Sequence, residues 1–525
     1  MSDSRNLDDE IEYLIENKVG EFTERYALKD ERVESRYGRE VLAKAKTLDG
    51  GEEIVAAPEA RKRIETPYAV RDLPIWLGID TKTKTEVGIP RERFFQHTLI
   101  LGGTGVGKTT LLNNIHQQLI HSNTGLALID GKGDNCGHLM ERIPEWRMDD
   151  VVYLDPGGTN GYVSGFNYLN VGRTPEDPSY DALIRSITRN LLILLEVEGE
   201  IEDRFENILV EVVDAIIRSD VQLTLADLHE LLGRLQDEDT DLIRGPTERD
   251  EPARSFEDEW DGASGRIFRE ILETNTEIRE ALSHFDSIPD KQIDRFNEGL
   301  ASLLRKKQLR HLTCQRGSPL EIARAVDQDK IILLRLTGDT ETHRRVGTAF
   351  LRRLWSVLRS RTDVDEANRN PFFVSIDEGQ NVVRDSSTIS EMLREARGFN
   401  VGILFATQNL AGIDHETTQQ LYANSETILS FNPGSHKQAK TMSRQLNVEP
   451  QTLMDESNHH IWLRVDLPEK GKRTDPIRTY TFPPYPPMRT REDRDEAILE
   501  RIKLYGQKED DMSAFAPISD LSLFN

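Results

Sequence analysis

Short apolar runs recur along the chain and predict buried β-strands. They are TLILG from residue 98, LALID from 126, VVYLD from 151, IILLRL from 331, FFVSID from 372, VGILFAT from 401, TILSF from 427 and IWLRVD from 461. Several are continuous, which is typical of strands buried on both faces of a parallel sheet. The stretch IWLGIDTKTKTEVGIP from 75 predicts a β-hairpin before them. The pattern therefore predicts an α/β fold with a mostly parallel central sheet.

In residues 176–325 the apolar positions instead recur with the period of an α-helix. The segments YDALIRSITRNLLILLEV, RFENILVEVVDAIIRS and LTLADLHELLGRL are amphipathic with no strand-like run among them. The stretch that begins QDEDTDLIRGPTERDE at Gln236 is acidic and polar, and it predicts an exposed loop. We therefore expect an all-helical domain inserted into the α/β core.

Five segments follow from these patterns. They are a charged helical N-terminal arm (1–66), the first part of the core (67–175), the inserted helical domain (176–325), the second part of the core (326–487), and a C-terminal helix with a flexible tail (488–525).

The composition sets limits on the function. The 525 residues carry a net charge of −25, and no lysine occurs between Lys132 and Lys291. Such a surface suits a halophile, where concentrated salt screens self-repulsion, although an ordinary acidic cytosolic protein is the alternative. The charge excludes a surface coated for nucleic-acid binding, so any such site must be local and concave. Neither a secretory leader nor a membrane-spanning run is evident, and we expect a cytoplasmic protein.

A phosphate-binding loop follows the first core strand. The residues are Gly102, Gly103, Thr104, Gly105, Val106, Gly107, Lys108, Thr109 and Thr110. In this GxxxxGK(S/T) pattern, backbone N–H groups surround the phosphates, Lys108 reaches the β- and γ-phosphates, and the Thr109 hydroxyl binds Mg²⁺. An apolar strand before the loop and a helix after it support the assignment.

Two acids end the strand FFVSID. We predict that Asp377 holds Mg²⁺ through water and that Glu378 activates the attacking water, as paired acids do in ATPases. Helix capping is the alternative for such a pair. The sequence lacks the (N/T)KxD motif that reads guanine, so ATP is the expected nucleotide.

Polar residues near the next strand could couple ATP hydrolysis to motion. Gln408 ends the run VGILFATQ, where an amide could sense the γ-phosphate, unless it forms only a hydrogen-bonded turn. Arg394 and Arg397 lie just upstream, and either is a candidate arginine finger that acts on a neighbouring subunit's nucleotide.

Together these motifs resemble the HerA/FtsK-type DNA-pumping ATPases, and most of all the TraG/TraD-type coupling proteins of type IV secretion and conjugation. The residues that carry the resemblance are HTLILGGTGVGKTT from His97, LALIDGKGD, VVYLDPGGTNGYVSGFNYLN, SIDEGQNV, REARGFNVGILFATQNL and NSETILSFNPG. They cover roughly residues 75–485. Tyr168 stands where that family usually has proline, and the N-terminal transmembrane helices usual in coupling proteins are not found.

The resemblance implies a RecA-like P-loop core and a ring, typically a hexamer, with ATP between subunits and DNA in a central channel. Asp130 and Lys132 match its second-strand signature and are expected near the nucleotide, unless they cap a helix. Candidate channel residues are Arg305, Lys306, Lys307 and Arg310, within RKKQLRHLTCQR. Pairing of these cations with the acidic helical region is the alternative.

The sequence thus predicts a Mg²⁺-dependent ATPase that translocates DNA. The expected partner is a relaxase or a membrane pore component, which would hold the protein at the membrane periphery. The alternatives are a HerA-like translocase working with a nuclease, a secretion or pilus-assembly ATPase that moves protein, and a scaffold that binds nucleotide without doing work.

Overall fold

The computed structural model describes residues 74–197, 199–218, 222–236, 271–365, 369–383, 386–466, 473–485 and 487–512. Three predicted features lie outside these residues: the helical arm, the acidic loop that follows Gln236, and the tail beyond Met512. Among the residues described, no helix has the length and apolar character needed to cross a bilayer.

Strands in the described residues form one large sheet and one small sheet. The large sheet contains β1 (Ile75–Asp80), β2 (Glu86–Ile89), β3 (Thr98–Leu101), β4 (Gly125–Asp130), β5 (Val151–Leu154), β7 (Ile331–Arg335), β8 (Phe372–Asp377), β9 (Val401–Thr407), β10 (Thr427–Ser430), β11 (His460–Val465) and β12 (Ile477–Thr481). Their order is β2-β1-β12-β11-β10-β3-β9-β8-β4-β7-β5. The small sheet pairs β6 (Tyr162–Ser164) with β13 (Gly506–Lys508).

The middle of the large sheet is parallel. Strands β10, β3, β9, β8, β4 and β7 pair in parallel along that order. Almost every residue in these strands is buried, because helices cover parallel sheets on both faces. Antiparallel pairs among β10, β11, β12, β1 and β2 extend one end. The α/β fold and the predicted hairpin of β1 and β2 are confirmed.

The register brings the carboxyl ends of the parallel strands together. Asp130 at the end of β4 lies opposite Asp377 at the end of β8. Leu101 at the end of β3 lies opposite Thr407 at the end of β9. The loops after these four strands therefore meet at one edge of the sheet, where parallel α/β proteins bind their ligands.

Helices with both ends in the described residues are, in chain order, α1 (Arg91–Phe94), α2 (Lys108–His121), α3 (Asn135–Met140), α4 (Tyr180–Leu194), α5 (Asp203–Arg218), α6 (Leu225–Gln236), α7 (Thr276–Ser283), α8 (Asp290–Arg305), α9 (Lys307–Thr313), α10 (Ile322–Asp327), α11 (Thr340–Ser360), α12 (Gly379–Val382), α13 (Ser386–Glu395), α14 (His415–Asn424), α15 (His436–Leu446), α16 (Pro450–Met454) and α17 (Arg491–Leu504).

The chain divides into two compact units. The first comprises the residues up to Val152 together with Asp327–Arg344 and Glu366–Ile498, and it holds the parallel strands just described. The second comprises Tyr153–Val326, Arg345–Asp365 and the residues from Leu499. These bounds describe the folded chain, and the five segments drawn from the sequence remain predictions.

Amphipathic helices form the core of the second unit. Phe205 on α5 is fully buried, and its ring centroid lies 5.2 Å from that of Phe296 on α8 and 5.2 Å from that of Phe285. Residues 176–325, as far as they are described, contain helices and no strand. Burial of one apolar face per helix is what the 3.6-residue period predicts.

Candidate functional site

The glycine-rich loop connects β3 to α2. Lys108 is the first residue of α2 and is only 4% exposed. Its Nζ donates hydrogen bonds to the carbonyl oxygens of Gly102, at 2.8 Å, and Gly103, at 2.7 Å. Burial lowers the pKa of Lys108, and the carboxylate of Glu378 opposes this shift. The loop thus encloses a positively charged lysine side chain that can attract an anion.

The loop backbone takes the shape of a phosphate cradle. Gly105 and Gly107 have φ angles of 76° and 113°, in the left-handed region that residues with a Cβ rarely adopt. Thr109 and Thr110 lie half-buried in the first turn of α2. Successive N–H groups at a helix N-terminus, together with a hydroxyl and an ammonium, form a site suited to phosphate.

Asp377 and Glu378 lie at the same edge of the sheet and are almost fully buried. Asn135 on α3 donates from Nδ2 to Oδ2 of Asp377 at 3.0 Å, and the Glu378 N–H donates to its Oδ1 at 3.0 Å. Burial raises the pKa of Asp377 to about 6, and the neighbouring carboxylates of Asp130 and Glu378 add to the shift. A cation beside Asp377 would relieve this unfavourable burial.

Three side chains hold the Glu378 carboxylate. Lys132 Nζ lies 2.5 Å from Oε1, Gln408 Nε2 donates to Oε1 at 2.8 Å, and Gln380 Nε2 donates to Oε2 at 2.7 Å. Burial acts to raise the pKa of Glu378, but hydrogen bonds from Gln408, Lys132 and Gln380 outweigh it and lower the pKa. Glu378 is therefore an anion at neutral pH, held in one orientation by three donors.

Gln408 connects this carboxylate to the phosphate loop. Its Oε1 accepts a hydrogen bond from Thr104 Oγ1 at 2.9 Å, while its Nε2 binds Glu378. The sheet order explains the contact, because β9 lies between β3 and β8. The residue after β9 is thus placed between the loop after β3 and the acids after β8. The structure brings Lys108, Glu378, Lys132 and Gln408 to one edge of the sheet, and the roles assigned to them stay predictions.

Asp130 ends β4, and its place near the nucleotide, with helix capping as the alternative, stays a prediction. It is fully buried, and its Oδ1 accepts from the N–H groups of Lys132, at 3.0 Å, and Gly133, at 2.9 Å. Its Oδ2 accepts from the Cys136 N–H at 2.9 Å. With both oxygens bonded to backbone, Asp130 shapes the loop that carries Lys132.

The candidate finger residues lie on the surface. Arg394 is exposed near the end of α13, and Arg397 is exposed three residues later. Arg397 Nη1 is 3.9 Å from Glu426 Oε1. An arginine finger acts on the nucleotide of another subunit, so exposure is compatible with that role, which stays a prediction.

The candidate DNA residues in the second unit have different surroundings. Arg305 is exposed at the end of α8, Lys306 is half-buried, and Lys307 pairs with Glu509. Arg310 departs from the prediction, because it is 9% exposed and donates to the carbonyl oxygens of Met512 and Leu304. Burial also lowers the pKa of Arg310. Its guanidinium donates to backbone carbonyl groups inside the unit and is not presented to a polyanion.

Two residues of the site carried no sequence assignment. Gln380 lies within the motif SIDEGQNV, two residues after Glu378. Its closeness to Glu378 in the sequence could have suggested it as a site residue. It also accepts a 2.5 Å hydrogen bond from Thr407 Oγ1. Asn135 follows the second-strand signature and carries no motif of its own. Only the fold shows that it donates to Asp377.

His97, part of the resemblance, has a structural position. Its Nδ1 accepts from the Ile403 N–H at 3.2 Å, which leaves Nε2 to donate to the Leu393 carbonyl, also at 3.2 Å. Burial lowers the pKa of His97 to about 4. A neutral imidazole thus joins the start of β3 to β9 and to α13, beneath the site.

Gly379, which follows Glu378, is required by packing. A Cβ at this position would lie 2.2 Å from Cζ of Phe405 in β9. We expect Gly379→Ala to lower the free energy of unfolding by about 1–3 kcal/mol, because backbone or ring must move to relieve the overlap. Thermal or urea unfolding measures the effect.

Gly137 supplies the matched control for that substitution. It lies on α3, and a Cβ there would meet nothing within 4 Å. Gly137→Ala should leave stability unchanged or raise it, because alanine favours helix. Equal stabilities of the two variants would contradict the close approach of Phe405.

Known proteins offer limited comparison. No protein-family model and no curated protein matches the sequence. Similar solved structures include the plasmid coupling protein TrwB in complex with the GTP analogue GDPNP, at 15% identity over 77% of this chain and 90% of that chain, with a TM-score of 0.48. VirB4 of Thermoanaerobacter pseudethanolicus is 15% identical over 78% and 96%, with a TM-score of 0.44.

A third similar structure is the cytoplasmic domain of the type VII secretion ATPase EccC of Thermomonospora curvata. It is 12% identical over 83% of this chain and 31% of that chain, with a TM-score of 0.31. A coupling protein, the class that the sequence motifs resemble, is thus among the similar structures.

Proposed function

We propose that this protein hydrolyses ATP with Mg²⁺ and uses the energy to translocate DNA. The observation that carries the hydrolytic part is the connected set of Thr104, Gln408, Glu378 and Lys132 beside the buried Lys108. It joins a phosphate cradle to an ionised carboxylate through one amide. A loop that only turned the chain would need neither the buried ammonium nor the buried acid.

The donor set fits ATP and Mg²⁺. The N–H groups of the loop, Lys108 and the first turn of α2 would hold the phosphates, and the Thr109 hydroxyl with Asp377 would hold the ion. Among the described residues no cluster of three His, Cys, Asp or Glu side chains could hold a metal alone. Such a site fits an ion that brings phosphate and water as its other ligands. Bound Mg²⁺ supplies neutralisation of phosphate charge.

Glu378 is the residue we assign to water activation. Its lowered pKa keeps it ionised, so its oxygens can accept a hydrogen bond from water and orient the attack. Lys132 shares Oε1 with Gln408, and its side chain is 42% exposed whereas that of Glu378 is fully buried. The exposed lysine therefore neutralises the base from outside. Movement of Lys132 would free one acceptor site on the carboxylate.

Coupling to motion is assigned to Gln408 and to an arginine from a neighbouring copy. Gln408 contacts both the phosphate loop and the base, so a change at either partner alters its hydrogen bonds. Arg394 and Arg397 are exposed and adjacent in the fold to the start of β9, whose far end carries Gln408. We propose a homo-oligomeric ring, hexameric by the resemblance, in which one of them completes the next site.

DNA as the moved polymer follows from the motif series and its order, which resemble those of DNA-pumping ATPases. Arg305, Lys306 and Lys307 remain the proposed backbone contacts, with Arg310 withdrawn. Clustered cations bind phosphate without reading sequence. The relaxase, pore component or nuclease that would accompany such a motor belongs to the same proposal.

Addition of double-stranded or of single-stranded DNA is expected to raise the ATPase rate several-fold at low salt. The triple variant Arg305→Ala, Lys306→Ala, Lys307→Ala should lose this stimulation and keep the basal rate, because it removes phosphate contacts. Phosphate release with and without DNA measures both. Repeating the assay in molar salt tests whether a halophilic host is the right setting, since an activity maximum there would support it.

Glu509→Gln is the matched control, because it breaks the ion pair of Lys307 and leaves the cation in place. It should retain DNA stimulation. Hydrolysis that DNA does not stimulate at either salt would contradict DNA as the substrate and favour a motor that moves protein. Turnover near zero under all conditions would favour the scaffold instead.

A further inference from the structure

The order of strands in the sheet indicates on which side of the phosphate loop the nucleoside of a bound nucleotide would lie. The groups assigned to the terminal phosphate follow β4, β8 and β9, which all lie on one side of β3. They are Lys132, Glu378 and Gln408. A triphosphate held in the loop after β3 with its γ end toward Glu378 would have its nucleoside end on the opposite side of β3. That side is formed by β10 and β11.

His459 lies on that opposite side, immediately before β11. Its N–H donates to the Val106 carbonyl within the phosphate loop at 2.9 Å. Its own carbonyl accepts from the Thr481 N–H at 2.8 Å and from Thr481 Oγ1 at 3.0 Å. Its φ is 63°, which costs a residue with a side chain of order 1 kcal/mol or more. One hydrogen bond thus ties this strained residue to the loop, and two tie it to β12.

The imidazole of His459 borders the residue that precedes Lys108. A Cβ built on Gly107 would lie 2.9 Å from Nδ1 of His459 and 3.3 Å from Cε1 of Phe431. Phe431 is fully buried, whereas His459 is exposed. The exposed His459 side chain therefore lies at the edge of the phosphate loop, and Gly107 leaves room for its ring.

We propose that the His459 ring is the platform on which the nucleobase of the bound nucleoside triphosphate stacks. The proposal rests on the nucleotide-binding function proposed above and assigns a contact for the nucleobase. Aromatic side chains stack on nucleobases with a free energy of about 1–3 kcal/mol per base, and stacking tolerates different bases. The ring thus contributes affinity for the nucleoside, and phosphate recognition stays with the loop.

Binding of two probes to the full-length chain separates these contributions. ATP carries the nucleoside, and inorganic tripolyphosphate carries only the phosphates. His459→Ala is expected to weaken ATP binding about tenfold, which corresponds to about 1.4 kcal/mol, and to leave tripolyphosphate affinity unchanged. His459→Phe keeps an aromatic face and should bind ATP within about threefold of the parent protein. Isothermal titration calorimetry of the parent and variant proteins with each probe measures these affinities.

His415→Ala is the control for loss of an exposed histidine. His415 begins α14 and contacts Gln419 of its own helix, so its removal should change neither affinity. A parallel loss of tripolyphosphate affinity in His459→Ala would overturn the platform, since the histidine would then act through the loop backbone. Unchanged ATP affinity in His459→Ala would overturn it too. A parent protein that binds neither probe would refute the proposed nucleotide site itself.

Discussion

Glu378→Gln protein is expected to bind ATP with nearly the parent affinity and to hydrolyse it about a thousandfold more slowly. Glutamine keeps the size of the side chain but has no negative charge with which to accept a proton from water, and general bases contribute roughly 10²–10⁴ in rate. Lys108 and the loop N–H groups are untouched, so the phosphates remain bound. Phosphate release gives the rate, and calorimetry gives the affinity.

Thermal unfolding is the first control for this variant. The amide oxygen of a glutamine can still accept from Lys132 and Gln408, but its nitrogen would face Gln380 Nε2, which is also a donor. The melting temperature should therefore fall modestly while the protein stays folded. Glu395→Gln, at the exposed end of α13, is the matched substitution and should leave turnover unchanged. If Glu378→Gln protein hydrolysed ATP at the parent rate, another group would have to position the water.

Lys108→Ala protein is expected to lose most of its ATP binding, with affinity reduced from about thirtyfold to several thousandfold. The variant removes the buried ammonium that the loop encloses, and loss of one charged hydrogen-bonding partner costs about 2–5 kcal/mol. The carbonyl oxygens of Gly102 and Gly103 would also lose their donor. Titration calorimetry with ATP and with tripolyphosphate measures the loss, and both probes should be affected alike.

Lys437→Ala controls for the loss of one positive charge. Lys437 is exposed on α15, and its removal should leave both affinities unchanged. Lys108→Arg tests the geometry of the loop, because a planar guanidinium is larger than the ammonium and fits the enclosed position poorly. Parent-like ATP affinity in Lys108→Ala protein would exclude this lysine as a phosphate ligand.

Strands buried on both faces were readable from the sequence because burial imposes continuous apolar character. The runs at 98, 126, 372 and 401 became β3, β4, β8 and β9 with small changes in bounds. The strands that were missed lack this signal. β12 reads IRTYT and alternates, and β6 and β13 are three residues long. Such segments become strands because they pair with a partner strand that cannot be identified from the neighbouring sequence.

The candidate site was predictable where a residue type and a strand end coincide. Lys108, Glu378 and Gln408 each follow an apolar run, and parallel strands bring such ends to one edge. The order of strands was not predictable, and it alone places Gln408 between the other two. His459 precedes a strand that runs antiparallel to β10, so its position beside Gly107 depends on tertiary pairing.

Basic clusters were the least reliable signal. RKKQLRHLTCQR looks uniformly cationic, but α9 directs Arg310 inward, where it donates to carbonyl oxygens. Arg316 is paired with Asp227, and Lys307 with Glu509. Partners that lie 89 or more residues away in the chain cannot be read from a local run of charge. Exposure, which decides whether a cation meets DNA, is a property of the fold.

Because Gln408 contacts both Thr104 and Glu378, its hydrogen bonds depend on the distance between the residues that follow β3 and β8. One oxygen faces Thr104 and one nitrogen faces Glu378, and the side chain has a fixed length between its two polar atoms. Both bonds can persist only while β3 and β8 keep their separation across β9. A sideways slip of about an ångström would stretch one of them past hydrogen-bonding range. Asparagine is too short to serve in its place, and glutamate would repel the neighbouring carboxylate.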